Sequence, residues 1–423
     1  MPNGFNKQET VLFDQAIEGF QDALVLSKNV SIFETDQQTM ERSADIIWRP
    51  QPYVAQSFAG TDMTSNFRDQ FQLAVPATIG FARSSPWILT ARELRDGQQE
   101  KRLTDAAQQK LASDINLAIL NVATVQGSLV VRRTTSPTGF DDIALADAIM
   151  NEQGIQYTDR CIALNTRDYN SMAGNLAARQ TMNEKPVTAY DRAKISDNIA
   201  NFATFKLDYS QRLLAATGVG VTITTANQFY TPRATSTAAT GEVGNVDNRF
   251  QTIPITVTSG LVRVGDAFTI AGVFATHQIT KQDTGQLKTF RVNAIVTGGG
   301  GTGTVQITPP IISAQGATDA ERQYQNVTTT PAAGAAVTFL NTFTNNVNVF
   351  WHKDALEILP GRYVIPDNSG VATMRATTDQ GIEVVMQKFA DINTMQTKYR
   401  LDVLYGVVNK QTQMSGIMLF NQV

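Results

Sequence analysis

Residues 91–131 read ARELRDGQQEKRLTDAAQQKLASDINLAILNVATVQGSLVV, and their pattern sets the scale of the chain. Leu103, Ala107, Leu111, Ile115, Ala118 and Val122 recur at three- and four-residue intervals, the apolar stripe of an amphipathic helix. Neither glycine nor proline interrupts the run between Gly97 and Gly127. The spacing predicts a helix over about 91–126, far longer than the usual ~11–12 residues. Gly127-Ser128 ends it, and Leu129-Val130-Val131 opens a strand. A helix of this length beside extended sequence suits the spine of an elongated subunit.

On the N-terminal side, residues 46–89 look extended, with β-type pieces such as Phe71–Val75. Turn chemistry centres on Ser57–Met63, which fits a two-stranded excursion with a polar tip. Residues 8–27 predict an amphipathic helix with Phe13, Ile17, Phe20 and Leu24 on one stripe and Asp14, Glu18 and Asp22 on an acidic face. So short a helix is unstable alone and must dock, either on its own domain or on a partner.

Past the long helix, residues 134–218 alternate helix (Ile143–Gln153, Asp168–Gln180, Tyr190–Phe202) with strand (Arg160–Leu164). From Gly218-Val219-Gly220 to about Asn345 the chain turns rich in Thr, Val, Gly and Ala. Strand-like runs lie at Val221–Thr225, Thr252–Val257, Ala267–Ile270, Lys288–Val296 and Val305–Thr308. Many short strands at close spacing indicate a barrel or sandwich of separate-domain length. Longer mixed segments return after Asn348–Trp351, with Tyr399–Gly406 as a buried strand. The class is α+β, and an all-β block between two α/β stretches reads as an insertion, tolerated where its ends lie close together.

At 423 residues two or three domains are expected. Charged residues make up 17%, below the ~25% of typical soluble chains, as suits faces covered by neighbours. The net charge of −3 opposes tight nucleic-acid binding. No apolar run approaches the ~20 residues of a membrane span, and from Met1–Phe5 no secretory signal is expected. The lone Cys161 rules out an internal disulfide and fits a buried strand. His277 and His352 have no companions at metal or catalytic spacing. Gly298–Gly303 lacks the Lys and Ser/Thr of a phosphate loop and reads as a hairpin turn, while Asp141-Asp142 reads as a helix cap. No enzyme, cofactor or metal site is expected.

Several runs together resemble the major coat proteins of the Salmonella-type short-tailed phages. They are Met40–Ser43 with Ile47–Pro50, Leu94–Asp96, Gly127–Val130, Asn245–Phe250 (Asn245, Asp247, Asn248, Arg249 and Phe250 among them), Gly265-Asp266, Ala271–Val273, Glu321–Val327 and Asn348–Trp351. The resemblance implies the capsid fold shared by tailed phages and herpesviruses. It implies an N-terminal arm (1–40), an extended loop and peripheral domain with the spine helix (41–133), and an axial domain in two parts (134–218 and 346–390). A six-stranded inserted barrel (219–345) and a return to the peripheral domain (391–423) complete the division. It also implies a major capsid protein that forms hexamers and pentamers of an icosahedral shell around scaffolding protein. The implied partners are a portal and packaged double-stranded DNA without sequence-specific binding, with no membrane. The virion capsid would be assembled in the host bacterial cytoplasm. In that family a loop of the inserted domain reaches a neighbouring capsomer. Here it corresponds to about Thr231–Gly244, with Arg233, Thr237, Thr240 and Glu242 as contact residues. Ala234–Thr240 carries no charge, so hydrogen bonding would have to replace charge pairing. The acidic face of the first helix, Asp14 and Glu18, would meet basic scaffolding segments. The alternative class is a phage decoration or tail structural protein built on β modules.

Overall fold

The computed structural model describes residues 4–33, 46–64, 66–178, 195–365 and 370–423, and these fall into two compact units. The smaller unit comprises Met1–Ile47, Pro76–Leu120 and Leu356–Val408, and the larger comprises Trp48–Val75, Asn121–Ala355 and Asn409–Val423.

In the smaller unit the first helix, α1, spans Lys7–Ala23. Phe13, Ala16 and Phe20 are buried along one face, Ile17 is half-buried, and Leu24 is buried just past the helix end. The helix docks on its own unit. Buried Glu9 receives Lys388 Nζ at 2.6 Å and Tyr399 Oη at 2.8 Å, and Asn116 Nδ2 donates to Ala23 O at 3.0 Å. The long helix α2 runs Gly97–Gln126. It starts later than expected because Glu93 turns back to accept from Thr90 N (2.9 Å), closing a separate short turn at Glu93–Arg95. Ala107, Leu111, Ile115 and Ala118 are buried as the stripe predicts, while Leu103 and Val122 are half-buried. A six-stranded sheet places Gln396–Asn409 between Leu356–Pro360 and Glu383–Asp391, with Phe81–Thr90 also paired to it.

The larger unit holds a mixed sheet in the order Leu129–Arg132, Ser415–Leu419, Asn348–His352, Arg160–Asn165, Phe202–Leu207, Asn198–Ile199. Its central strands are buried at every position, as for a sheet covered on both faces. Helices α3 (Phe140–Glu152) and α4 (Thr166–Ala177) contribute Ile143, Met150 and Met172 to the same core. Asp142 caps α3, accepting from Gly139 N at 3.2 Å and pairing with Arg133 at 2.7 Å. Asn165 caps α4. Gly127 ends α2 where a Cβ would meet Ala123 O at 2.6 Å and Gly416 N at 3.1 Å, so only glycine lets the strand pass.

One helix expectation fails. Of the segment Tyr190–Phe202, residues 190–194 lie outside the described residues, and Asn198–Ile199 with Phe202–Leu207 form an antiparallel hairpin. Ala200 (φ 46°) and Asn201 (φ 65°) take the left-handed conformation of a tight turn, which ends any helix. The excursion differs too: among the described residues only Ile46–Pro50 and Ala74–Thr78 pair there, and the strand begins at Ala74, not Phe71.

The β block is a six-stranded sheet in the order Thr222–Ile223, Gln251–Thr256, Gly303–Thr308, Asp283–Ile295, Ala267–Thr276, Val337–Phe339. It closes on itself where Ile223 N donates to Ala335 O (3.0 Å) and Val337 N to Val221 O (2.9 Å), making a barrel. Phe268 stacks on Phe290 at 5.8 Å inside it, among Ile253, Ile270, Val292 and Ile307. The chain enters the block through Arg212–Leu213 and leaves through Asn345–Asn346, which pair antiparallel. The glycine run forms the turn after Asp283–Ile295, and Gly300 (φ 95°) accepts from Val262 N at 2.7 Å. A Cβ at Gly300 would meet Val262 O at 2.4 Å.

Strand Asp283–Ile295 carries two fully buried cations that tie the barrel to the rest of this unit. Lys288 Nζ donates to Gln153 Oε1 (2.9 Å) and Gln413 Oε1 (3.0 Å), and Arg291 Nη1 donates to Gly127 O (3.4 Å). Thr289 Oγ1 adds a bond to Ser128 O at 2.7 Å. Burial, helped by the charge of Lys281, pulls the Lys288 ammonium down to about 7. An unfolded lysine titrates near ~10.4, so above neutrality the unfolded chain holds the extra proton and stability rises with pH up to that value. We expect denaturant melts to show wild type gaining stability from about pH 7 to pH 9, by up to ~1.4 kcal/mol per pH unit more than Lys288→Met. A variant with the wild-type slope would contradict this account.

Candidate functional site

Thr235–Thr237 and Val243–Asn245 pair antiparallel, with Thr235 opposite Asn245 and Thr237 opposite Val243. Ala238 N donates to Glu242 O at 2.8 Å and Gly241 N to Ala238 O at 2.9 Å, closing the tip. Every residue from Thr235 to Asn245 is exposed, and no third strand joins this sheet among the described residues. Both outer edges therefore present unpaired backbone donors and acceptors, a template for pairing with another chain.

A two-stranded hairpin is marginal by itself in water, so its base must be pinned. Asn248 does this with four bonds. Its Oδ1 accepts from Arg233 N (3.0 Å) and Tyr230 Oη (3.1 Å), and its Nδ2 donates to Arg233 O (2.9 Å) and Val246 O (3.0 Å). Arg249 then anchors the base to the unit. Nε and Nη2 grip Asp247 at 2.9 and 2.7 Å, Nη1 donates to Asn409 O at 3.0 Å, and the guanidinium lies 5.0 Å over the Phe250 ring.

The structure thus splits the sequence-selected residues into two groups. Arg233, Thr237, Thr240, Glu242 and Asn245 are exposed on the hairpin or its flank. Asp247, Asn248, Arg249 and Phe250 are half-buried or buried beneath it. Asp14 and Glu18 lie exposed on α1. His277 Nδ1 accepts from Ile279 N and Thr280 N at 3.2 Å each, which occupies it structurally. Burial pushes the Cys161 thiol up to about 12, the inert range. No group of three metal-ligating side chains occurs among the described residues.

The run Glu321–Val327 forms a second surface. Helix α5, Asp319–Tyr324, holds the base of the excursion: Phe71 N donates to Gln323 Oε1 (3.0 Å), Tyr324 Oη to Phe71 O (2.7 Å), and Arg68 pairs with Asp319 (3.1 Å). Buried Glu321 accepts from Thr231 Oγ1, joining this helix to the chain that leads into the hairpin. Glu321–Val327 gave the signal, but spacing alone could not say what it touched.

The family model described as P22 coat protein, gene protein 5, matches residues 1–421. Among solved structures, a chain of Mycobacterium phage Che8 is similar at 9% identity, covering 93% of this chain and 90% of that one, with a TM-score of 0.45. The CUS-3 coat protein I-domain is 40% identical over 29% of this chain and 95% of its own, with a TM-score of 0.22. The satellite phage P4 procapsid with its size determination (Sid) protein matches at 7% identity, 96% and 90% coverage and a TM-score of 0.40.

Removing the pin should loosen the hairpin. Asn248→Ala leaves the part-buried partners of Asn248 unmatched and should cost about 1–3 kcal/mol in a denaturant melt. Amide exchange should accelerate across residues 235–245. Unchanged stability and protection would show that Asn248 is not the anchor.

Proposed function

The chain belongs to the P22 coat protein family and is a major capsid protein of a phage shell, and from that premise we propose how it assembles. Copies form hexamers and pentamers of an icosahedral shell around scaffolding protein, in the host cytoplasm. The shell carries a portal and receives double-stranded DNA. The family match over residues 1–421 carries this reading. A net charge of −3 supports a container that does not trap its cargo by counterion release.

In this reading residues 1–40 are the arm, 41–133 the extended loop and peripheral domain, 134–218 and 346–390 the axial domain, and 391–423 the return to the periphery. Residues 219–345 are the inserted barrel. The bonds that close the barrel, Ile223 N to Ala335 O and Val337 N to Val221 O, lie within these bounds and support its independence. Residues 219–345 produced alone should give a dispersed amide NMR spectrum, and a collapsed spectrum would refute that boundary.

The hairpin contacts a neighbouring capsomer by backbone and hydroxyl hydrogen bonds. Thr235–Thr240 offers hydroxyls and free edges but no charge, and exposed ion pairs would contribute only ~0–1 kcal/mol in any case. Many such weak contacts per subunit, made together, hold a closed shell.

Asp14 and Glu18 bind basic scaffolding segments. Both are exposed on a helix whose other face is already committed to its own unit, so reversal should not unfold the chain. Particles of Asp14→Lys/Glu18→Lys purified by sedimentation should hold far less scaffolding protein than wild type, with an unchanged melting temperature. Wild-type scaffold content would rule out this role.

A further inference from the structure

We propose that a cavity beside Lys281, among the side chains at the bases of the hairpin and the excursion, binds a small inorganic monoanion of chloride size. The cavity measures about 40 Å³, and its walls include Lys281, Arg249, Gln278, Tyr324, Gln411 and Gln413. No aspartate or glutamate lines it. On the scale where one water needs ~10–15 Å³, the space suits a monoanion with a water or two, and excludes a nucleotide.

The two cations in the wall differ in how their charge is met. Arg249 is answered by Asp247 on two nitrogens. Lys281 is not: its Nζ has a single contact, to Gln325 O at 3.1 Å, and no carboxylate lies within ion-pair distance among the described residues. An ammonium has three N–H donors, so two remain for a ligand. Burial already holds Lys281 down to about 8, the cost of a charge removed from water without a counter-ion.

A second amine stands behind the wall. Fully buried Lys288 reaches Gln413 Oε1 at 3.0 Å, the oxygen that also accepts from Gln278 Nε2 at 3.2 Å. Gln413 Oε1 is thus shared between two donors, and the two lysines repel each other. The locality has more positive than negative charge, with no carboxylate in the cavity wall. One anion would correct that excess, accepting from Lys281 and the side-chain amides.

The walls also join distant parts of the larger unit. Gln51 and Leu73 bring in the base of the excursion, Gln278 and Lys281 the barrel, and Gln411–Gln413 a turn near the C-terminus. A bound anion would steady the excursion base against the barrel.

The test is the chloride NMR line width of the purified full chain, titrated with sodium chloride and then with bromide. A saturable excess width that bromide displaces, lost in Lys281→Met, retained in Lys281→Arg and in the exposed control Lys398→Met, is the expected result. Excess width that is absent, grows only linearly, or persists unchanged in a folded Lys281→Met would overturn the site. If Lys281→Met does not fold, Gln278→Leu reads the same cavity: loss of the saturable width supports the site and its persistence refutes it.

Discussion

The polypeptide leaves a sheet buried on both faces and returns to it through two short strands, Arg212–Leu213 and Asn345–Asn346, that pair with one another. Because exit and return coincide, more than a hundred residues can be accommodated without opening the sheet. Asn341 reinforces the junction, donating to Leu214 O at 2.9 Å and to Asp266 Oδ1 at 2.9 Å while accepting from Ala267 N at 3.1 Å. The barrel can therefore close on its own apolar interior, and its surface is free to carry the exposed hairpin. Loss of that junction would cost the barrel its position before it cost the barrel its core.

Polar burial then fixes orientation where apolar packing could slide. Lys288, Thr289 and Arg291 lie on one strand of the barrel and bond Gln153, Gln413, Ser128 and Gly127 outside it. A buried ammonium or guanidinium tolerates few alternative placements, because an unmatched donor costs about 1–3 kcal/mol or more. In a subunit that must present the same contact surface in every copy, a uniquely oriented barrel matters more than a maximally stable one. The hairpin base obeys the same logic: Asn248 spends all its hydrogen-bonding capacity on backbone groups and Tyr230.

Periodic patterns made most of the architecture legible. The stripe Ala107, Leu111, Ile115, Ala118 gave the long helix, and the strand runs between Gly218 and Asn345 gave the barrel. What pattern could not give was set by tertiary pairing. Phe202–Leu207 lies in a sheet because it pairs in parallel with Arg160–Asn165, a partner some forty positions away that no local signal marks. Glu93 stops the long helix from starting earlier by bonding back to Thr90. At the site, the hairpin residues were picked out by resemblance and by lack of charge. The anchoring roles of Asn248 and Arg249, and the grip of Gln323 and Tyr324 on Phe71, depend on contacts between segments far apart in sequence.

We propose that the uncharged hairpin of this coat subunit makes a contact between capsomers. The most direct measurement is a cryo-electron microscopy map of particles formed when the chain is produced with a scaffolding protein. It should show closed icosahedral shells in which the Thr235–Asn245 hairpins of adjacent capsomers meet, with no side-chain charge pair at the contact. Failure to form closed shells, or shells whose hairpins end in solvent, would contradict it.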